Sequence, residues 1–101
     1  MQLIVVIVER GKGEKVATAA RAAGSTGATT LYGRGAPERE IRKFLSLAIE
    51  SAKEVVLILA YENQVETLLE AVREAGHLDQ PGKGIAFTLP VSSVLGLKRE
   101  D

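Results

Sequence analysis

The run Leu3-Ile4-Val5-Val6-Ile7-Val8 limits what this chain can become more than any other stretch. It is apolar throughout and mostly β-branched, so it offers no side to solvent. Such a run suits a strand covered on both faces or lying in the middle of a sheet. A second one, Glu54 to Ala60 (Glu-Val-Val-Leu-Ile-Leu-Ala), stands in the other half of the chain. Each run leads into a helical pattern. After the first, Glu9-Arg10-Gly11-Lys12-Gly13 breaks the strand and Val16, Ala19, Ala20 and Ala23 follow at helical spacing, with Gly24 where a terminal cap glycine belongs. After the second, Val65, Leu68, Leu69 and Val72 make the apolar stripe, with Asn63 and Glu66 as a capping pair and Gly76 as the stop.

Each half then closes on an extended segment. Gly27 to Tyr32 reads as a strand ending at Gly33-Arg34-Gly35, and Ile85 to Leu89 reads as another. Val94 to Leu97 reads as a short extra strand before the charged tail. Between the halves lies an excursion, residues 36–51, in which Pro37, Ile41, Phe44, Leu45 and Ala48 suggest some helix. The order is β-α-β, excursion, β-α-β. It predicts an α+β, ferredoxin-like βαββαβ fold: an antiparallel four-stranded sheet with two helices on one face. With 101 residues, 1–101 is expected to form a single domain. The other sheet face would be bare in one copy, and self-association is its simplest cover.

Composition excludes several classes. Lys+Arg and Asp+Glu are 13 each, which argues against broad electrostatic binding to nucleic acid or anionic membranes. Without Cys there are no disulfides or thiolate metal sites, and an intracellular location is permitted. The first apolar run is far too short to span a membrane.

The chemistry-bearing pattern is a glycine–cation–glycine triplet that occurs three times: Gly11-Lys12-Gly13, Gly33-Arg34-Gly35 and Gly82-Lys83-Gly84. Glycines let the backbone take φ > 0 and approach a ligand closely, successive N–H groups can hold an anion, and the cation adds charge. Gln80 to Val91 therefore reads as a glycine-hinged loop running into a strand, half of a phosphate site. A plain connecting turn explains the same residues, since Gly is the default there. Gly11-Lys12-Gly13 precedes a helix and is open to the same two readings, an anion site at the helix end or a turn. None matches the nucleotide-hydrolase or dinucleotide fingerprints. His77, the single histidine, sits at a helix end without triad partners, and Glu62, Glu66, Glu70 and Glu74 read as a solvated helix face. The aromatic residues are too dispersed for base stacking. No catalytic set and no metal site emerge.

Over nearly the whole chain these segments resemble the PII signalling family. The resemblance rests on the apolar first strand ending near Ile7, on Gly24-Ser25-Thr26-Gly27-Ala28-Thr29 leading to Gly33-Arg34-Gly35, and on Pro81-Gly82-Lys83-Gly84-Ile85-Ala86-Phe87 followed by Pro90-Val91. It implies a cytoplasmic, ferredoxin-like homotrimer that binds adenine nucleotides between subunits. It also implies signalling to a partner, a regulated protein or transporter, through the loop after the second strand, here 36–51. By position, Ile7, Gly27 and Thr29 would lie near base and ribose. Gly33, Arg34 and Gly35 would line one wall, Gly82, Lys83 and Gly84 would hold phosphates, and Lys98 would add charge.

The departures shape the expected ligand. Ala36-Pro37 replace the family's Arg-Gln pair, whose Gln serves Mg and 2-oxoglutarate. Lys83 replaces an acidic residue, Ile85 a lysine, and Gly96 one of two C-terminal arginines. The shortened loop has no Tyr for uridylylation. With fewer cations, AMP or ADP fits better than Mg-ATP. Two other functions compete: a small acylphosphatase-type enzyme using Arg10-Gly11-Lys12-Gly13, and a trimeric metal-tolerance or structural protein without nucleotide.

Overall fold

The computed structural model describes residues 1–35 and 51–97. The elements are β1 (Gln2–Glu9), α1 (Gly13–Ala22), β2 (Thr29–Gly35), β3 (Ser51–Ala60), a 3-10 turn (Glu62–Gln64), α2 (Val65–Gly76) and β4 (Gly84–Pro90). The sheet order is β2-β3-β1-β4, with every neighbouring pair antiparallel. The two strands of each half are thus separated by a strand of the other half, the split β-α-β arrangement. The α+β ferredoxin-like reading holds. The two apolar runs become the two inner strands, where both sheet faces must be side-chain covered.

Alternation along the strands divides the sheet into two faces. Ile4, Val6 and Val8 of β1 and Val56, Ile58 and Ala60 of β3 point to the helices. They pack with Val16, Ala17 and Ala20 of α1 and Leu68 and Val72 of α2 in one buried cluster. Small alanines let α1 lie close to the sheet. The opposite face carries Val55, Leu57 and Leu59 of β3 with Ile85, Phe87 and Leu89 of β4, and no element covers it among the described residues. Phe87 there is 41% exposed and Ile85 57%. An apolar face this wide marks an interaction surface.

Several boundaries differ from the sequence reading. β2 starts at Thr29 rather than Gly27 and runs through Gly35, so Gly33-Arg34-Gly35 lies in the strand instead of ending it. The cause is the length of β3: it begins at Ser51, before the expected Glu54, and Gly33, Arg34 and Gly35 pair with Lys53, Ala52 and Ser51. Of the excursion assigned to residues 36–51, Ser51 belongs to β3 and the rest lies outside the described residues. Val94 to Leu97 forms no strand, because the ladder to β1 ends where the Val91 N–H reaches the Met1 carbonyl and Gly96, at φ 89°, turns the chain.

The helix ends are also informative. α1 closes as a Schellman motif: Gly24 at φ 114°, with its N–H on Arg21 and the Ser25 N–H on Ala20. α2 closes on His77 (φ 54°), not on Gly76, which is the last helical residue. Gly76 is needed for packing instead, since a Cβ there would come within 3.1 Å of Leu78 and 3.4 Å of Val8. Asn63 and Glu66 do not form the expected cap. The Tyr61 N–H donates to Gln64 Oε1 at 2.9 Å, and Gln64 Nε2 donates to the Gly24 carbonyl at 3.0 Å, tying the start of α2 to the end of α1.

Candidate functional site

The strand register fixes where the glycine–cation–glycine segments stand. Gly84 is opposite Val8, Val8 opposite Glu54, and Glu54 opposite Tyr32, in one row across the sheet. Gly82-Lys83-Gly84 and Gly33-Arg34-Gly35 therefore occupy the same end of the sheet. They stand on its two opposite edges, with β1 and β3 between them. Three strand spacings amount to roughly 14 Å. One copy alone cannot bring them onto one small ligand.

On the β4 edge, Gly84 has φ 153°, and a Cβ there would run into the Ile7 carbonyl oxygen. Gly84 is thus required for backbone approach to β1, whatever else it does. Gly82 (φ 78°) has open space around it. The Lys83 N–H reaches the Gln80 carbonyl at 3.4 Å, which closes the turn. The Lys83 side chain is exposed and has no ion-pair partner among the described residues. Ile7, half-buried, lies on the bare face beside Ile85.

On the β2 edge, Thr29 and Gly33 share the bare face, whereas Arg34 alternates to the helix side. Gly33 has no neighbouring heavy atom within 4 Å of a Cβ position. Its conformation does not demand glycine, so its value lies in leaving room. Gly27 and Thr29 line an open groove of about 700 Å³ on the bare face with Leu3, Leu57, Leu59 and Leu97. Apolar floor and hydroxyl rim together suit a flat ring bearing polar edges. Lys98 lies outside the described residues.

In the third triplet a carboxylate of the protein itself takes the Gly13 donor. The N–H of Gly13, first residue of α1, donates to Glu54 Oε1 at 2.6 Å, and Glu54 is only 8% exposed. The helix end already holds the protein's own carboxylate. An acylphosphatase-type loop built on Arg10-Gly11-Lys12-Gly13 would need that same donor. Sequence reading missed this contact because Glu54 looked like the polar first residue of a strand. One signal was available: Lys12, the residue before α1, has no side-chain acceptor to cap the helix, so the acceptor had to come from elsewhere.

At the outer side of α2, Arg73 binds Glu70 and lies 3.6 Å from Asp79. The hydrogen bond from Arg73 holds the Glu70 carboxyl below its ordinary range, and Glu70 raises the Arg73 guanidinium. This cation is engaged and is not available to a ligand at the nearby Gly84.

The family model for nitrogen regulatory protein P-II matches residues 1–101, the whole chain. The chain belongs to the P-II family. A search of curated proteins finds no match. P-II membership makes this a PII-like signalling protein, and it agrees with the four-stranded antiparallel sheet and its paired helices. No helix among the described residues of this P-II member is long and apolar enough to cross a membrane.

Proposed function

We propose that this P-II member is a non-catalytic sensor that binds an adenine nucleotide between the subunits of a homotrimer. The observation that carries this reading is the placement of Gly33-Arg34-Gly35 and Gly82-Lys83-Gly84. They stand at one end of the sheet on opposite edges. A ligand can touch both only where the β4 edge of one copy meets the β2 edge of the next. The bare apolar face supplies the drive for such assembly.

In this reading Ile7, Gly27 and Thr29 hold base and ribose, Gly33, Arg34 and Gly35 form one wall, and Gly82, Lys83, Gly84 and Lys98 receive phosphate. Of the cations assigned to the site by the resemblance, Arg34 and Lys83 are described; with so few, AMP or ADP is favoured over Mg-ATP and no metal is called for. The ligand state biases the arrangement of residues 36–51, which a regulated protein or transporter reads in the cytoplasm. Neither nucleic acid nor membrane insertion enters the scheme.

Calorimetry against AMP, ADP, ATP and cyclic AMP tests it. Binding of an adenine nucleotide should weaken about tenfold in Lys83→Ala, the loss of one charge-assisted contact. Gly33→Ala should weaken it too while leaving the melting temperature within about a degree, because nothing in one copy crowds that position. No binding of any of the four would end the proposal.

A further inference from the structure

We propose that the groove between α1 and β2, on the helix side of the sheet, is a second binding site, for a small zwitterion with its ammonium and its carboxylate at opposite ends. It lies on the face away from Ile7, Thr29 and Gly33, and it stands independently of the nucleotide reading.

The groove has a volume of about 370 Å³ and is lined by Glu14 and Arg21 of α1, Thr30 and Tyr32 of β2, and Glu54 of β3. Its decisive member is Glu54. This side chain is 8% exposed, yet no cation pairs with it among the described residues. Its Oε1 accepts the Gly13 N–H. Its Oε2 accepts no hydrogen bond among the described residues, and Glu54 is one of the residues that line the groove. The start of a helix offsets only about half an elementary charge. A cation bound in the groove would pair with this carboxylate.

Charge is sorted along the groove. Glu54 lies beside the first turn of α1, where Glu14 also stands. Arg21 stands in the last turn and has no ion-pair partner among the described residues. From Glu14 to Arg21 the helix advances roughly 10 Å. The acidic end selects an ammonium and the guanidinium end a carboxylate. The Thr30 and Tyr32 hydroxyls lie between as donors or acceptors for a polar middle. Opposite charges separated this way reject a simple amine and a simple carboxylate alike, because each leaves one end unmatched.

The probes are 5-aminopentanoate and glycylglycine, with pentylamine and pentanoate as single-charge controls, titrated by calorimetry into the full chain. The Gly13 amide resonance is followed in parallel as a reporter at the acidic end. Glu54→Gln keeps an acceptor for Gly13 and removes the charge, and Arg21→Ala changes an exposed residue that cannot unfold the core. We expect one zwitterion to bind and to shift Gly13, with affinity falling at least tenfold in each variant. Failure of both zwitterions to bind overturns the proposal. So does pentylamine or pentanoate binding as tightly as the zwitterion, or affinity that survives in either variant.

Discussion

The Gly13 N–H and the Glu54 carboxylate meet at 2.6 Å across 41 positions of sequence. One contact thereby fixes the start of α1 against the inner strand β3. It also occupies the anion position that a helix start would otherwise offer to a ligand.

Stability should follow that contact. Glu54→Ala is expected to cost about 2 kcal/mol, the scale of a buried hydrogen bond to a charged group. Glu54→Gln, which keeps an acceptor, should cost under about 1 kcal/mol. Gly13→Ala should destabilise as well, against the usual gain for alanine in a helix, because the added Cβ meets the Glu54 side chain. Urea melts at fixed protein concentration measure all three, and a stabilised Gly13→Ala would contradict the packing described.

Two glycines of the same loop should respond differently. Gly84→Ala pushes a Cβ against the Ile7 backbone and is expected to cost more than about 2 kcal/mol. Gly82→Ala meets open space and only its positive φ opposes it, at about 1 kcal/mol. Thermal melts should rank them in that order, and equal losses would mean that backbone approach is not the reason for Gly84.

The bare face gives a prediction about assembly. Phe87→Glu places a charge on the apolar surface while leaving the helix-side cluster intact. Sedimentation should show a smaller species than wild type, with far-UV dichroism little changed. An unchanged sedimentation coefficient would move the subunit contact elsewhere.

The Glu70–Arg73 pair should appear in a pH series. Glu70 has a lowered pKa in the folded state, so its contribution is present above the ordinary carboxylate value of 4.5. It fades as pH falls from there through the lowered folded value. The melting temperatures of wild type and Glu70→Gln should therefore differ slightly at pH 7 and converge as acid is added. The effect is small because both side chains are exposed. A gap that widens in acid would contradict the assignment.

Strand runs, helical stripes and the repeated β-α-β order were legible in the amino-acid sequence, because periodicity along the chain reports which side of an element is buried. That was enough for the fold, and the family motifs named the edge segments. Where β2 and β3 begin and end was not legible: their limits come from each other's length, and pairing partners are distant in sequence. His77 taking the left-handed position from Gly76 was hidden for the same kind of reason, since Gly76 is reserved by Val8 and Leu78. Only the folded chain decided which glycine–cation–glycine segment remains open to a ligand. Gly11-Lys12-Gly13 read as either an anion site at a helix end or a turn, and Glu54, a strand away, takes the Gly13 donor. Local sequence fixes what a loop can bind, and tertiary contacts fix whether its donors are still free.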